Sequence, residues 1–233
     1  MARKEQVKNI FNDIAPKYDL LNHLLSLNID KGWRRKAMKY IDKGEHKHLL
    51  DVACGTGDFS IAAYRAGVWH ITGIDISANM VEVGRRKIQE LGLEPYIDLQ
   101  VGDTEQMEFA DQTFDVVTVA FGVRNFEHLK IGLKEMWRVL RPGGKVIILE
   151  FSMPERFPMK QLYRLYFRYI LPMIGGWVSG NKQAYTYLPE SVMKFPQGET
   201  FLNILKECGF VAPIQKRLSC GITSLYVGIK GEP

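Results

Sequence analysis

The sequence has few cysteines, no long apolar run and no dense run of basic residues. Its three cysteines, Cys54, Cys208 and Cys220, lie far apart in a chain of 233 residues. They match no zinc-ligand spacing and suit a reducing compartment, so we expect no metal site and a cytoplasmic protein. No stretch reaches the ~18 uninterrupted apolar residues of a membrane-spanning helix. The first residues, MARKEQVKNIF, lack the apolar run of a signal peptide.

The excess of positive charge is small. The net charge is +5 at pH 7, with 46% hydrophobic and 24% charged residues, which is typical of a globular domain. A weakly basic chain fits an ordinary solvated surface best, and it also suits an anionic membrane. Because a dense basic and aromatic surface is missing, we expect no nucleic-acid partner.

From His48 onward, short apolar runs alternate with amphipathic segments. Five strands are predicted from the runs HLLDVA, HITGIDIS, YIDLQVGD, TFDVVTVAFGV and KVIILEFS. The helices predicted between them are FSIAAYRAG, ANMVEVGRRKIQELG and HLKIGLKEMWRVL, the last of which we expect RPGG to end. This alternation predicts a parallel sheet with helices on both faces. The runs VAPIQKRL and GITSLYVGIK then predict a final hairpin, with one strand antiparallel in the sheet.

We expect a single domain built from four segments. The segments are an N-terminal helical cap (1–44), a cofactor-binding core (45–152), a helical lid (153–200) and a final helix with a hairpin (201–233). Apolar residues recur at helical spacing in the cap, namely Phe11, Ile14, Tyr18, Leu21 and Leu25. Pro16 must interrupt or begin a helix among them.

The run DVACGTGD places two glycines between a buried strand and a helix. Glycine at Gly55 and Gly57 lets the backbone turn sharply and approach a ligand closely. Such a turn alone predicts only a nucleotide-like ligand. A dinucleotide site needs a third glycine where this chain has Ser60, and a P-loop needs lysine where it has Asp58. Neither class of site therefore fits.

Acidic residues follow three strands at one edge of the predicted sheet. Asp75 ends the second strand, where a carboxylate accepts hydrogen bonds from both ribose hydroxyls, and Asp103 ends the third, where it can accept from an adenine amino group. Asp51 and Asp58 flank the glycine loop and either bind the amino group of a zwitterionic ligand or orient the loop. The alternative is that each acid only caps its strand. Together they indicate a ligand with a ribose, an adenine and a positive sulfonium, but no phosphate.

In order and spacing, three runs resemble the class I S-adenosylmethionine methyltransferases. They are LLDVACGTGD, GDTEQMEFADQTFDVV and RVLRPGGKVIILEF, which lie within residues 45–152. The resemblance implies an α/β fold with a Rossmann-like, doubly wound sheet of seven strands, mostly parallel with the last strand antiparallel. It also implies S-adenosyl-L-methionine as the cofactor.

Three further segments resemble the bacterial quinone-biosynthesis C-methyltransferases. They are FNDIAPKYDLLNHLLSLNIDKGWRR, AFGVRNFEH and YTYLPESVMKFPQGETF. Members of this family methylate demethylmenaquinol or the related 2-polyprenyl-6-methoxy-benzoquinol. The resemblance therefore implies a prenylated quinol as substrate, and the choice between a naphthoquinol and a benzoquinol ring stays open.

The loop pattern and the resemblance together predict the cofactor-binding residues. These are Asp51, Gly55, Thr56, Gly57, Asp75, Ile76, Asp103, Thr104 and Ala120. Relatives often have Asn-Ala where this chain has Asp103-Thr104, and the adenine contact should survive because Asp also accepts. Relatives also often have serine where this chain has Ala120, which puts a contact through that side chain in doubt.

Methylation of a ring carbon needs an electron-rich carbon beside the methyl sulfonium. A hydroquinone gains that nucleophilicity on losing a hydroxyl proton, and a phenol-like pKa of ~10 means that the site must favour the phenolate. We expect Arg124 to stabilise this charge, Asn125 to bond the second ring oxygen as donor or acceptor, and Tyr18 to bond the quinol or close over the cofactor. A surface ion pair for Arg124 and a core position for Tyr18 are the alternatives. We expect water to remove the ring proton, with Glu127 and His128 as other acceptors.

Residues 157–180 combine apolar and aromatic residues with basic ones. Lys160, Arg164 and Arg168 recur every four residues, which places a basic face beside an apolar one. Such a helix suits the membrane surface or a lid that receives a prenyl tail, and an ordinary packed helix is the alternative. We therefore expect peripheral contact with the inner face of the membrane. A homodimer is one assembly that the sequence allows.

Two other functions stay open. One is a methyltransferase for another small hydrophobic acceptor, such as a phenol or a sterol. The other is a non-catalytic module that binds S-adenosylmethionine or associates with RNA.

Overall fold

A seven-stranded sheet forms the centre of the fold. The computed structural model describes residues 4–26, 28–41, 48–166, 169 and 182–232. The strands are β1 (His48–Val52), β2 (His70–Asp75), β3 (Ile97–Val101), β4 (Phe114–Ala120), β5 (Leu140–Phe151), β6 (Phe210–Leu218) and β7 (Thr223–Lys230). Their order is β3-β2-β1-β4-β5-β7-β6. Strands β1 to β5 pair in parallel, whereas β7 is antiparallel to both β5 and β6. The predicted fold class is confirmed.

Nine α-helices are described in the same parts of the chain. They are α1 (Lys4–Ile14), α2 (Tyr18–Leu25), α3 (Ile29–Met38), α4 (Asp58–Arg65), α5 (Ala78–Glu90), α6 (Leu129–Val139), α7 (Met159–Leu165), α8 (Lys182–Lys194) and α9 (Glu199–Glu207). A 3-10 turn, Ala15–Lys17, separates α1 from α2. It contains Pro16, which interrupts the helical cap as predicted because proline lacks the N–H that a continuous helix needs.

Alternate residues of each strand pack on opposite faces of the sheet. Leu50 and Val52 belong to a core with α6 and α9, whereas Leu49 belongs to a second core with α3, α4 and α5. This alternation follows from the two-residue repeat of a strand. Both faces of the sheet are therefore covered by helices, as the apolar strand runs predict.

Strand β5 begins earlier than the sequence predicts. Leu140 already pairs with Phe114, and after an irregularity the ladder resumes where Lys145 pairs with Val116. Pro142 cannot donate to a ladder, and Gly143 has a φ of 75°, so this stretch bulges out of regular pairing. The run RPGG therefore lies inside the strand, where we expected only the end of a helix.

Some sequence expectations fall outside the described residues. They concern the side chains of Leu21 and Leu25, and Arg168 with residues 170–180 of the segment 157–180. Of the helices that the structure describes, none is long and apolar enough to cross a lipid bilayer.

Helix α5 lies unusually close to β3 and to the loop that follows β1. A Cβ atom at Gly84 would lie 2.6 Å from the Leu99 Cδ1 atom and 3.1 Å from the carbonyl carbon of Thr56. In contrast, a Cβ at Gly32, in α3, would meet no described atom within 4 Å. A methyl group would therefore clash with neighbouring atoms at Gly84 and would fit without contact at Gly32.

We predict opposite effects of alanine at these two glycines. Gly84→Ala should lower the free energy of unfolding by about 1–3 kcal/mol, because it overpacks the contact with Leu99 and Thr56. Gly32→Ala should raise it by about 0.5–1 kcal/mol, because alanine loses less backbone freedom in a helix. Urea unfolding of both variants measures the difference. Equal stability of Gly84→Ala and the unmutated protein would contradict the close packing of α5.

Candidate active site

A cleft opens at the carboxyl ends of the central parallel strands. Strand β1 lies between β2 and β4, so the chain leaves β1 and β4 toward opposite sides of the sheet, which is where open α/β sheets form their binding crevice. Helix α1 and the start of α2 also contribute to its walls. Most of the predicted site residues line this cleft, namely Tyr18, Gly55, Asp75, Ile76, Asp103, Thr104, Ala120 and Asn125.

The backbone is strained where β1 and β4 end. Ala53 has a φ of 50° and Phe121 a φ of 58°, a left-handed conformation that costs a non-glycine residue about 1–3 kcal/mol. Gly55 and Gly57 adopt φ values of 56° and 81° in the same loop. A Cβ at Gly122 would lie 2.6 Å from the Ala53 Cβ atom, so the two turns touch each other. Strain at paired strand ends is typical of a functional site.

Backbone N–H groups from the glycine loop and from the start of α5 hold the Asp75 carboxylate in place. Its Oδ2 atom accepts a hydrogen bond of 2.9 Å from the N–H of Gly55, and its Oδ1 atom accepts one of 2.8 Å from the N–H of Ser77. Burial raises the pKa of Asp75, and these two N–H groups act in the opposite direction. Each carboxylate oxygen has a further lone pair, so the group can also accept from hydroxyls in the cleft.

Helix α1 closes the cleft at Asp103. The Nζ atom of Lys4 lies 2.6 Å from Oδ2 of Asp103 and 3.4 Å from the carboxylate of Glu105. The sequence interpretation missed Lys4, because a lysine at the start of a helix carries no signal of a partner 99 residues away. A ligand amino group that approaches Asp103 has to share this carboxylate with Lys4 or displace it.

Asp51 lies beneath the glycine loop rather than in the cleft. Its side chain is buried, and it accepts hydrogen bonds of 2.6 Å from Ser60 Oγ and 3.0 Å from Thr118 Oγ1. Burial raises the pKa of Asp51 to about 6. Of the two roles that the sequence left open, this geometry favours orientation of the loop over contact with a ligand.

A charged network joins α2 to the glycine loop. The Nζ atom of Lys87 lies 2.6 Å from Asp19, 2.8 Å from Asp58 and 3.2 Å from the hydroxyl of Thr56. That hydroxyl in turn donates to Asp19. Thr56 and Asp58 therefore attach the cap to the loop, and neither Asp19 nor Lys87 was among the predicted site residues.

Arg124 forms a buried ion pair, not the surface pair considered as its alternative. It lies in a 3-10 turn, Val123–Asn125, directly after β4. Its Nη1 atom lies 2.7 Å from Oε1 of Glu150, and the two side chains are 6% and 0% exposed. The guanidinium also donates to the Phe121 carbonyl and, from Nε, to Ser191 Oγ at 3.3 Å. Its charge thus lies beside the cleft and is already balanced by a carboxylate.

Aromatic side chains surround this turn. The Oδ1 atom of Asn125 accepts a hydrogen bond of 2.8 Å from the Tyr187 hydroxyl, and the Arg124 guanidinium lies 5.5 Å from the centre of the Phe151 ring. Tyr18 is half-buried, and its ring lies next to Gly55. One apolar cluster contains Tyr18, Phe151, Tyr163, Tyr166 and Tyr187. The site therefore places polar groups beside an aromatic cluster.

The two other proton acceptors lie at the Asp103 end of the site. His128 is 60% exposed and its Nδ1 atom lies 2.8 Å from Glu105. Glu127 lines the cleft, and its carboxylate lies 3.4 Å from the backbone nitrogen of Lys4. Glu127 thus contacts the start of α1, and His128 contacts Glu105 in the cleft wall.

We predict that Asp51→Asn removes a pH dependence of folding. The folded state holds the Asp51 pKa at about 6, above the value near 4 of an unfolded chain, so the folded protein binds the additional proton between about pH 4 and pH 6. The unmutated protein therefore loses stability as the pH rises through this window. Asparagine keeps both hydroxyl partners. At pH 8 we expect the free energy of unfolding of Asp51→Asn to exceed that of the unmutated protein by about 1–3 kcal/mol.

Urea titrations at pH 4, 6 and 8 test this expectation. The advantage of Asp51→Asn should shrink toward pH 4, where Asp51 is protonated in the folded state and about half protonated in the unfolded state. An advantage that is the same at all three pH values would contradict the assignment.

Comparison with known proteins identifies the family. The model of the ubiE/COQ5 methyltransferase family matches residues 1–230. A demethylmenaquinone methyltransferase of Bacteroides fragilis is 45% identical over 229 residues, which cover 98% of this chain and 94% of the relative. A ubiquinone/menaquinone biosynthesis C-methyltransferase UbiE of Geotalea daltonii is 45% identical over 228 residues, which cover 97% of each chain.

Solved structures show the same fold in more distant proteins. The cyclase SpnF matches 98% of this chain and 96% of its own, with a TM-score of 0.73 and 15% identity. A match at 15% identity shows a shared fold and no more. The family is shown by its matching model and by the relatives at 45% identity. The chain therefore belongs to the ubiE/COQ5 methyltransferase family and is an S-adenosylmethionine-dependent methyltransferase.

Proposed function

We propose that this chain transfers the methyl group of S-adenosylmethionine to a ring carbon of a prenylated quinol. The observation that carries the proposal is that Asn125 lines the cofactor cleft, while Arg124 and Asn125 contact the neighbouring aromatic cluster through Phe151 and Tyr187. A flat aromatic acceptor packs favourably against aromatic side chains, and its oxygens need polar partners nearby. The names of the two relatives refer to demethylmenaquinone and to ubiquinone/menaquinone biosynthesis, which supports this class of acceptor.

The residues of the cleft fit the cofactor. Asp75 would accept from the ribose hydroxyls, and Asp103 with Thr104 would bind the adenine, where Lys4 now contacts the carboxylate. Gly55, with its left-handed backbone, leaves room for the methionyl part of the cofactor near Tyr18. When bound, the cofactor supplies an electrophilic methyl group on a sulfonium.

Arg124 would make the acceptor nucleophilic by stabilising its phenolate form. The described hydrogen bonds engage its Nη1 and Nε atoms, and a guanidinium has five N–H donors, so Nη2 would serve the acceptor oxygen. Glu150 holds the guanidinium in place in a setting from which water is excluded, where such donors are most effective. We assign the ring proton to water, because His128 is exposed and paired with Glu105.

The direct test uses labelled S-adenosylmethionine and a short-tail demethylmenaquinol. We expect labelled ring product from the unmutated protein and a fall in kcat of about 100-fold or more in Arg124→Ala. Because that variant leaves Glu150 buried and unpaired, Arg124→Lys and a measurement of cofactor affinity separate lost chemistry from lost folding. Arg86→Ala, which removes a 64% exposed arginine from α5, is the matched control.

The outcomes bear on different parts of the proposal. An unmutated protein that methylates no quinol contradicts the function, and methylation of a simple phenol instead would reassign the acceptor. Full activity of Arg124→Ala would contradict the role of Arg124 and leave the reaction itself standing.

We also propose that the region of α7 contacts the membrane surface in which prenylated quinols reside. Large apolar side chains are exposed there, with Phe157 81% exposed and Leu162 and Leu165 each 54% exposed. Lys160 and Arg164 lie one turn apart on the same helix and would face anionic lipid. Exposed apolar groups beside basic ones are typical of a peripheral membrane contact at the inner face.

Vesicle binding tests this contact. Replacing Phe157 and Leu162 together with aspartate should weaken cosedimentation with vesicles rich in phosphatidylglycerol by about 10-fold or more. Methylation of a short-tail acceptor in detergent-free buffer should not change. Trp69→Asp is the control, because Trp69 is 63% exposed at the opposite end of the sheet. Equal vesicle binding by the double variant and the unmutated protein would contradict the contact.

A further inference from the structure

Helix α8 contacts both polar residues of the turn that follows β4. The Tyr187 hydroxyl donates to Oδ1 of Asn125 at 2.8 Å, and Ser191 Oγ accepts from Nε of Arg124 at 3.3 Å. Tyr187 and Ser191 are four residues apart and therefore share one face of the helix. Ser191 also donates to the carbonyl of Leu188 at 2.9 Å, which leaves its lone pairs for Arg124.

The hydrogen bond between Tyr187 and Asn125 runs from the phenol to the amide oxygen. Burial raises the pKa of Tyr187, and the charges of Arg124 and Glu150 act in opposite directions. The hydroxyl therefore keeps its proton and can donate it. That hydrogen then points to the Asn125 amide, whose oxygen is the group that can accept it.

When the oxygen of a side-chain amide accepts a hydrogen bond, the amide nitrogen points in a different direction from that bond. The Oδ1 and Nδ2 atoms of Asn125 diverge from the same carbon, so fixing Oδ1 on Tyr187 directs the Nδ2 hydrogens away from α8. Asn125 lines the cleft, where the acceptor ring would lie. The sequence left open whether Asn125 donates to or accepts from a ring oxygen, and the contact with Tyr187 favours donation.

We propose that Tyr187 is a positioning residue, which orients the Asn125 amide so that its Nδ2–H group donates to a ring oxygen of the acceptor. This inference rests on the proposed methylation of a quinol, since it assigns the second oxygen contact of that reaction. A donor stabilises negative charge that spreads to the second oxygen of the ring. A reversed amide would instead place its carbonyl oxygen against that charge and slow the reaction.

Tyr187→Phe removes the hydroxyl while keeping the ring that packs in the aromatic cluster. We expect kcat with demethylmenaquinol to fall about 3- to 10-fold, with the KM for S-adenosylmethionine unchanged, which corresponds to the loss of one hydrogen bond. Asn125→Ala should lower kcat further, and Asn125→Asp most of all, because a carboxylate repels the phenolate. Tyr64→Phe, in α4 and away from the cleft, is the control and should keep full activity.

A double-mutant cycle separates positioning from a general structural role. In the Asn125→Ala background, Tyr187→Phe should have almost no additional effect on kcat, because there is no amide left to orient. An equal fall of kcat in both backgrounds would overturn the proposal, as would an unchanged kcat in Tyr187→Phe alone. A loss of cofactor affinity and of melting temperature in step with kcat would also overturn it, in favour of a packing role.

The same assays distinguish failure of the inference from failure of the proposed function. If the unmutated protein makes no ring-methylated product, both the function and this role of Tyr187 are wrong. If it makes product and Tyr187→Phe matches it, only the role of Tyr187 is wrong.

Discussion

The ion pair between Arg124 and Glu150 joins the sheet to the acceptor side of the site. The Glu150 carboxylate, fully buried at the end of β5, accepts from the Arg124 guanidinium and from the backbone N–H groups of Arg124 and Phe151. The turn after β4, the aromatic cluster and α8 all pack around these groups. Removing one partner of such a pair leaves a buried charge, which costs about 3–5 kcal/mol. The position of every acceptor-side group therefore depends on this pair.

A second charged network fixes the cofactor side. Lys87 of α5 holds Asp19 of α2 and Asp58 of α4 together, and it thereby attaches the N-terminal cap to the glycine loop. Lys4 does the same at the other end of the cleft through Asp103. The cap and α8 come from opposite ends of the chain, yet each is tied to a loop that leaves the sheet. The cleft is thus formed by segments that only the sheet brings together.

Local patterns were enough to predict the sheet and the acids at its edge. The strand alternation and the residues that end each strand follow from short-range periodicity, so Asp75, Asp103 and Gly55 lie where the sequence places them. The pairs Arg124–Glu150, Lys4–Asp103 and Tyr187–Asn125 join residues 26 to 99 positions apart. No periodicity encodes such partners. The early start of β5 was missed for a related reason, because proline and glycine predict a break unless the neighbouring strand is known.

The pairing of Arg124 changes the account of how this site would favour a phenolate. A lone buried arginine would carry a large desolvation cost and would bind any anion, whereas Glu150 offsets that cost and holds the guanidinium beside the Phe151 ring. The pair is neutral overall, so a neutral quinol enters without repulsion. In the proposed reaction, its oriented N–H groups would still stabilise negative charge that develops on the ring oxygen. The proposed selectivity for a weakly acidic, apolar acceptor would thus follow from the same buried pair that holds the turn in place.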